Sequence, residues 1–381
     1  MKWLEEPHRQ YLTLGGYAGT GKTTLLSYLK RHLNGHEKFK EKKTAFCCYT
    51  GKAANVLKQK LDRLNVLLPK DSCSTIHRLI YKPIIDEYGN IIGWEKVGEI
   101  PYDLIIIDEA SMVNREIWDD LVSYQKPILV VGDHGQLPPV EGSFNLMENP
   151  EIKLESIVRQ ALDNPIIRLS MVIREGGNIP FGSFGDKVYK LSRSDKDTRR
   201  AIEELLTNFS DDYLVLCAFN KTRVMLNSQI RRLQGFTDPR PQTKERVICL
   251  KNSYKHQIFN GMLGRLIKIE ENPPHHYEST IKIDGENVPF KGWISKYQFG
   301  QPKTISSEAD LERLNIKNLD WKNLGALFDW GYALTVHKAQ GSEAGMVIVF
   351  EERLPFYDEE MWRRWRYTAV TRSTDKLYVI A

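Results

Sequence analysis

The chain has 381 residues, of which 41% are hydrophobic and 27% are charged, and its formal net charge is +5. This length allows two or more domains, and the composition is typical of a soluble protein whose mild positive charge permits a polyanionic partner without requiring one. We expect neither a membrane-spanning helix nor a signal peptide, because no apolar run approaches about 20 residues and the first residues are not apolar.

A phosphate-binding loop follows the first predicted element, a short strand over residues 11–14. Residues 16–24 read GYAGTGKTT and fit the pattern G-x-x-x-x-G-K-[ST] of nucleotide hydrolases, with a predicted helix after them. Glycines tolerate the backbone angles that wrap the chain around a polyphosphate, and the start of the helix attracts the anion. In this pattern the lysine reaches the β and γ phosphates, and the threonine hydroxyl binds Mg²⁺. The nucleotide-binding candidates are Gly16, Ala18, Gly19, Thr20, Gly21, Lys22, Thr23 and Thr24, and Thr23 is also a candidate metal ligand.

Alternating strands and helices come next. We predict a strand over 43–49, a helix over about 50–63 and a small β-hairpin around the Tyr-Gly-Asn sequence at 88–90. The continuous apolar runs 104–107 and 128–131 are typical of parallel strands covered on both faces. The predicted fold class is therefore α/β, with an open sheet that binds its ligand at the carboxyl ends of the strands.

Polar residues follow both of these apolar strands. Asp108 and Glu109 come after the first strand, where one carboxylate can hold Mg²⁺ and its neighbour can orient or deprotonate the attacking water. Gln136 follows the second strand, where an amide can sense the γ-phosphate or the water. Together with the loop at Lys22, these strand ends predict a nucleotide hydrolysis site.

A second α/β set is predicted beyond Asn149-Pro150. Its elements are strands at 213–219, 331–335, 346–350 and 376–380 and helices at 220–233 and 359–370. Between 246 and 299, short strands separated by Gly, Asn and Pro predict a small β-rich insert. Arg159 and Arg372 of this second set are candidates for stabilising the transition state, since a guanidinium stays charged and binds phosphate in two places. The alternative for each is a surface ion pair.

Three segments carry hydroxyl, histidine and basic side chains of the kinds that contact the phosphates and bases of a single strand. The alternative is that these residues cap helices or provide surface charge. The candidates for DNA binding are Thr50, Lys52, Thr75, His77, Thr335 and His337.

In this order the segments resemble the motifs of superfamily 1 helicases. They read GYAGTGKTT, YTGKAA, STIHRLI, LIIIDEAS, VVGDHGQLPPV, IVRQ, ALTVHKAQGSE and RRWRYTAVTRS. The resemblance runs from Gly16 to the end of the chain and is closest to the branch of RecD-like and Pif-like enzymes and the phage Dda helicase.

The resemblance implies two RecA-like domains that flank an ATP cleft, at 1–149 and at 150–245 together with 300–381. It implies a strand-separating pin at about 81–100 and an SH3-like insert at 246–299. By the same resemblance, Asp108 would hold Mg²⁺, Glu109 would be the catalytic base and Glu343 would approach the ribose. Lys22, Gln136, Arg159 and Arg372 would contact the phosphates, while Thr50, Thr75, His77, Thr335 and His337 would lie along single-stranded DNA.

One departure concerns recognition of the base. The family usually has an adenine-reading glutamine on a helix well before the phosphate loop. Only fifteen residues precede Gly16 here, and Gln10 lies at the approach to the first strand. Either the chain is truncated or its base recognition differs.

The expected function is an ATP-dependent DNA helicase that moves 5′→3′ on single-stranded DNA, with ATP and Mg²⁺ as cofactors. The direction follows from the resemblance alone. Single-stranded DNA and duplex junctions are the expected partners of a monomer, and replication or repair proteins are further candidates. Two alternatives stay open: a nucleotide-regulated single-stranded DNA-binding module, and the motor subunit of a nuclease or repair complex. Five cysteines without C-x-x-C spacing predict reduced thiols, which agrees with a cytoplasmic protein of a bacterium or a phage-infected cell.

Overall fold

The computed structural model describes residues 2–6, 9–85, 91–139, 144–253, 256 and 258–381. The strands in this part of the chain are β1 Tyr11–Gly16, β2 Thr44–Cys48, β3 Ser72–Thr75, β4 Tyr81–Ile85, β5 Ile91–Lys96, β6 Leu104–Ile107, β7 Ile128–Gly132, β8 Ile152–Leu154, β9 Gly182–Phe184, β10 Val188–Leu191, β11 Tyr213–Cys217, β12 Arg246–Cys249, β13 Leu263–Asn272, β14 His276–Ile283, β15 Phe290–Ser295, β16 Phe328–Trp330, β17 Ala333–Thr335, β18 Ala344–Phe350 and β19 Ser373–Ile380. The α-helices are α1 Lys22–Gly35, α2 Gly51–Arg63, α3 Ile76–Ile80, α4 Arg115–Val122, α5 Arg159–Leu162, α6 Pro165–Arg174, α7 Lys196–Thr207, α8 Asn220–Leu233, α9 Glu308–Arg313 and α10 Glu359–Val370. Among the described residues, no helix has both the length and the apolar character that a bilayer crossing needs.

The first sheet has six strands in the order β3-β2-β6-β7-β1-β8, and every neighbouring pair is parallel. This confirms the predicted α/β class. Strands β2, β6 and β7 are buried along their whole length, as their continuous apolar sequences require. Because β7 separates β1 from β6, the residues that follow β7 lie between the phosphate loop and the acidic pair.

The second sheet has the order β17-β11-β18-β19-β10-β9. Its strands are parallel except for β9, which pairs antiparallel with β10. Helix α10 is followed closely by β19, so the two residues between them, Thr371 and Arg372, lie at the amino-terminal end of this strand. The elements from α5 to α7 were missed, although α7 has recognisable signals: Asp195 caps it, and its buried residues Thr198, Ile202 and Leu206 recur every four positions.

A third, antiparallel sheet has the order β15-β14-β13-β12-β16. Four of its strands come from the predicted insert at 246–299, and the fifth, Phe328–Trp330, comes from beyond it. We call the region formed by β12 to β15 the insert sheet. Strands β4 and β5 form the hairpin expected near residues 81–100, and its predicted turn at 88–90 lies outside the described residues.

The first sheet also continues beyond the predicted domain boundary at residue 149. Leu14 to Gly16 of β1 pair with Ile152 to Leu154 of β8, which extends the sheet on the side of the phosphate loop. The loop is therefore held by neighbouring strands on both sides of β1.

A buried ion pair fixes α1 to the first sheet. Nζ of Lys30 lies 2.8 Å from Oδ1 of Asp71, and both side chains are almost completely buried. Lys30 also donates to the Thr44 hydroxyl, and Asp71 accepts from the Thr44 amide, so helix and strand are tied at one point. Burial lowers the pKa of Lys30, and the Asp71 carboxylate opposes that shift. Since α1 begins at Lys22, this contact sets the position of the phosphate loop.

Candidate active site

The phosphate loop is built from glycines that no other residue can replace without strain. Gly19 and Gly21 have φ of 78° and 82°, in the left-handed region. A Cβ on Gly16 would lie 2.7 Å from the Thr20 hydroxyl oxygen. Gly21 precedes α1 without a side-chain cap, so the first N–H groups of the helix remain available to an anion. The loop is therefore shaped to accept phosphate.

Lys22 lies over this loop. Its Nζ donates to the main-chain oxygens of Gly16, at 2.8 Å, and Tyr17, at 3.1 Å. The same atom lies 3.9 Å from Oδ2 of Asp133, a buried residue at the end of β7. The sequence analysis did not select Asp133, although its position directly after a buried strand was a usable signal.

The two acidic residues stand at the end of β6. Asp108 is buried, and its Oδ1 accepts a hydrogen bond from the Glu109 amide at 3.0 Å. Burial raises the pKa of Asp108, and the Lys22 charge opposes the shift. Burial also raises the pKa of Glu109, and the positive charge of Arg372 is the main influence that opposes this shift.

Glu109 has two further features of a functional residue. Its φ of 56° is unusual for a residue other than glycine, and such strain is found mostly at functional sites. Its buried Oε2 has no hydrogen-bond partner among the described residues, and the same holds for the buried Oε1 of Gln136. Two unpaired polar atoms in one cleft point to a polar ligand.

Arg372 enters from the second half, after the end of α10. It is 3% exposed, and its guanidinium donates to the main-chain oxygens of Thr368 and Ser342 and to the Thr371 hydroxyl. It lines the same cleft of about 840 Å³ as the loop and the acidic pair. The predicted residues that the structure brings together along this cleft are Ala18, Gly19, Gly21, Lys22, Thr23, Thr24, Lys52, Asp108, Glu109, Gln136, Glu343 and Arg372.

Other predicted residues lie elsewhere. Gly16 and Thr20 do not line the cleft, and the Thr20 hydroxyl closes the loop internally by donating to the Tyr17 oxygen at 2.8 Å. Arg159 is exposed at the start of α5 and does not line the cleft, although the amide of its neighbour Val158 donates to the Gly19 oxygen. Gln10 donates to the Val122 oxygen at 2.6 Å and does not line the cleft.

The donor set fits a nucleoside triphosphate with a divalent cation. The loop and Lys22 supply the positive charge that a polyphosphate needs. Thr23 and Asp108 supply oxygen ligands of the type that Mg²⁺ prefers. The unpaired oxygens of Glu109 and Gln136 leave hydrogen-bond acceptors in the cleft that a polar ligand could use.

The residues predicted to bind DNA are divided between different environments. The Thr50 hydroxyl caps α2 by accepting from the Ala53 amide, and the Thr75 hydroxyl caps α3 by accepting from the Arg78 amide. Both hydroxyls therefore cap helices in this conformation, and their contact with DNA stays a prediction. Lys52 lies in the nucleotide cleft, where its Nζ donates to the main-chain oxygen of Glu343 at 2.8 Å.

The insert region between β12 and β15 covers His77 and contacts α2 and α3 beside it. His77 is 3% exposed and stacks on Phe259, with ring centroids 4.2 Å apart, and burial lowers its pKa to about 4. Arg78 forms an ion pair with Glu286, which lies in the turn between β14 and β15. The oxygen of Gly285 in the same turn accepts from the Asn55 side chain of α2 at 2.5 Å.

Thr335 and His337 are held within the second half. Thr335 is 7% exposed, and Nε2 of His337 is 2.9 Å from the Tyr357 hydroxyl. Burial lowers the pKa of His337. In this conformation the candidates do not form one open groove among the described residues.

Comparison with known proteins agrees with this arrangement. Residues 3–187 match the AAA domain family, and residues 331–380 match the UvrD-like helicase C-terminal domain. The chain is 29% identical to the ATP-dependent RecD2 DNA helicase of Deinococcus radiodurans over 97% of its own length and 47% of that protein. It is 25% identical to the ATP-dependent DNA helicase dda of phage T4 over its whole length and 96% of that protein.

A solved structure supports the fold. The Pif1 helicase from Bacteroides, crystallised with ADP-AlF3 and ssDNA, superposes with a TM-score of 0.53 at 19% identity, covering 100% of this chain and 90% of that one. The chain spans about half of the length of the RecD2 relative and nearly all of Dda.

A parallel sheet and a mostly parallel sheet share a cleft with a phosphate loop and an acidic strand end. This arrangement defines a P-loop nucleotide hydrolase fold with two RecA-like halves. Within that class, the chain is similar to RecD-like, Pif1-like and Dda-like helicases of superfamily 1.

Proposed function

We propose that the chain is an ATP-dependent DNA helicase that moves 5′→3′ along single-stranded DNA. The observation that carries this proposal is that Arg372 of the second half lines the same cleft as Lys22 and Glu109 of the first half. A cleft shared by two halves lets the state of a nucleotide alter their separation, which is what a translocating motor requires. RecD2 and Dda, which carry the names of ATP-dependent DNA helicases, support the choice of substrate.

In the proposed reaction, each residue acts on a different part of the triphosphate. Lys22 and the start of α1 neutralise the phosphates, and Thr23 and Asp108 hold Mg²⁺. When bound, Mg²⁺ supplies charge that stabilises the transferred phosphoryl group. Glu109 accepts a proton from the attacking water, while Gln136 orients that water and Arg372 stabilises the negative charge that develops.

Arg159 remains a candidate for a second phosphate contact. The amide of its neighbour Val158 donates to the Gly19 oxygen of the loop, so Arg159 lies near the loop and would need only a local rearrangement of α5 to contact a phosphate. Glu343 lies at the mouth of the same cleft and remains a candidate for the ribose. The proposed units are 1–149, 150–245 with 300–381, and 246–299. Strand β8 pairs with the sheet of the first unit, and β16 pairs with the insert sheet.

For DNA, we propose a track over Thr50, Thr75, His77, Thr335 and His337 that opens when the insert sheet moves away. The buried state of His77 and the contacts of Glu286 support a covered track in the described conformation. The hairpin of β4 and β5 would act as the pin at a duplex junction. The expected form is a monomer, with replication or repair proteins as further partners.

The proposal is tested by ATP hydrolysis with and without single-stranded DNA. We expect DNA to stimulate hydrolysis in the wild type and Lys22→Ala to lose at least roughly a hundredfold in kcat, since one phosphate-stabilising group contributes several kcal/mol. Lys58→Ala, at an exposed position on α2, serves as the matched control. DNA binding without hydrolysis in the folded protein would contradict the motor and favour the binding-module alternative. Parallel reactions with GTP, CTP and UTP measure base preference.

A further inference from the structure

The hydroxyl of Tyr367 joins the two halves of the molecule at the phosphate loop. Tyr367 lies on α10 of the second half and is 2% exposed. Its oxygen accepts a hydrogen bond from the Ala18 amide of the loop at 2.7 Å. The same hydroxyl donates to Oδ2 of Asp133 at 2.7 Å. One side chain thus contacts both the loop and the end of β7.

Asp133 connects this hydroxyl to the ammonium group of Lys22. Its Oδ2, which accepts from Tyr367, lies 3.9 Å from Nζ of Lys22. Its Oδ1 accepts from the Gly135 amide at 2.9 Å, which fixes the carboxylate. If Lys22 moves from Asp133 to a bound phosphate, Asp133 loses a neighbouring positive charge. The hydrogen bond from Tyr367 to Asp133 is the contact that this change would affect.

The remaining contacts of α10 make the helix respond as one body. Nη1 of Arg364 donates to the main-chain oxygens of His134 and Gln136, at 2.8 and 3.1 Å. The Thr368 hydroxyl accepts from the Leu137 amide at 2.9 Å. Arg372 comes two residues after the last residue of this helix, Val370, and its Nε donates to the main-chain oxygen of Thr368 on the helix at 3.0 Å. Tyr367 and Arg372 are therefore joined through the same helix end.

The environment of the ring leaves the hydroxyl little freedom. The ring of Tyr17 packs edge-on against it at 6.0 Å, and a Cβ on Gly135 would lie 3.2 Å from its Cε1. Burial raises the pKa of Tyr367, so the hydroxyl keeps its proton and remains a donor to Asp133. The side chain can therefore act as a fixed link.

We propose that Tyr367 is a positioning residue that couples the state of the phosphate loop to the placement of Arg372. This inference rests on the proposed ATP hydrolysis, which it deepens by naming the contact between the halves. Tyr367→Phe tests it, since the ring stays and both hydrogen bonds are lost. Tyr189→Phe is the matched control, because Tyr189 lies on β10, away from the cleft, and its hydroxyl donates to the main-chain oxygen of Asp186 just before that strand.

Two readouts separate coupling from simple stability. In steady-state hydrolysis with saturating single-stranded DNA, Tyr367→Phe should lower kcat by roughly tenfold or more, the effect of losing hydrogen bonds to a charged group, while KM for ATP stays within about threefold. In hydrogen exchange without nucleotide, the Ala18 amide should be protected in the wild type and in Tyr189→Phe, and should lose that protection in Tyr367→Phe.

The two proposals fail in different ways. A wild type that hydrolyses ATP, with Tyr367→Phe matching it in kcat, overturns the coupling and leaves the proposed function intact. A wild type without hydrolysis overturns the proposed function, and the exchange of the Ala18 amide then decides the link alone. Unchanged protection of the Ala18 amide in Tyr367→Phe overturns the link. If kcat falls and KM changes to the same extent in Tyr367→Phe and Tyr189→Phe, the effect is one of general stability and the coupling is also overturned.

Discussion

Lys52 and Glu343 meet across the nucleotide cleft, where Nζ of Lys52 donates to the main-chain oxygen of Glu343 at 2.8 Å. Lys52 belongs to the first turn of α2, and Glu343 precedes β18 of the second half. Burial lowers the pKa of Lys52, and the Arg246 charge adds to that shift, whereas Asp284 and Glu343 oppose it. The contact joins the first half to the second half along the lining of the cleft.

We therefore expect Lys52→Met to affect nucleotide use more than DNA binding. Loss of the contact should raise KM for ATP several-fold, since a hydrogen bond from a charged group typically contributes about 1.5–3 kcal/mol and this one is partly exposed. The affinity for single-stranded DNA without nucleotide should stay within about twofold of wild type. Hydrolysis assays and fluorescence anisotropy measure the two effects. The reverse pattern would return Lys52 to the DNA track.

Glu109→Gln should separate binding from hydrolysis. The amide keeps the shape of the side chain but cannot accept the proton of the attacking water, so kcat should fall by about 10²–10⁴-fold. Binding of a fluorescent ADP analogue should remain within a few-fold of wild type. Because the change removes a buried carboxylate, the melting temperature should not fall. Retention of more than a tenth of the wild-type kcat would exclude Glu109 as the base.

Glu286→Ala should strengthen the binding of single-stranded DNA. The Glu286 side chain is 9% exposed and forms an ion pair with Arg78. It also lies so close to Gly51 that a side chain at position 51 would collide with it. Its removal frees a cation and uncovers the start of α2, so the dissociation constant should fall several-fold, with a steeper dependence on salt. Glu278→Ala makes the same charge change at an exposed position of β14 and is the control. Equal gains in both variants would indicate a general charge effect instead of an uncovered track.

His77→Phe should reduce the sensitivity of folding to acid. Because burial lowers the folded pKa of His77 from 6.5 to about 4, its contribution to stability is complete above pH 6.5 and is lost as the pH falls towards 4. That loss amounts to roughly 3 kcal/mol at most. Phenylalanine can keep the stack on Phe259 without titrating. Urea unfolding at pH 7 and pH 4.5 should show a smaller loss for the variant, and parallel losses in both proteins would contradict the assignment.

The sequence was sufficient to predict the parts of the site that are local in the chain. A glycine pattern, a lysine and apolar strands followed by polar residues each depend on neighbouring positions, and parallel pairing brings those strand ends together. Lys22, Asp108, Glu109 and Gln136 are therefore found near one another as expected. Arg372 could be placed there only through the motif order, because it comes from the other half.

Contacts between distant segments could not be predicted in the same way. Nothing near Lys52 indicates Glu343, and nothing near His77 indicates that Phe259 covers it, because packing of the halves and the insert sheet sets both contacts. Strand β16 was missed because three residues carry no periodicity. Arg159 shows that a motif can place a segment beside the loop without fixing the direction of its side chain.

The most direct test is strand displacement on duplexes that carry a 5′ or a 3′ single-stranded overhang, with ATP and Mg²⁺. We predict unwinding of the duplex with the 5′ overhang, little unwinding of the other, and none by Lys22→Ala. Preference for the 3′ overhang would contradict the direction of movement, and absence of unwinding on both substrates by an active ATP hydrolase would contradict the helicase itself.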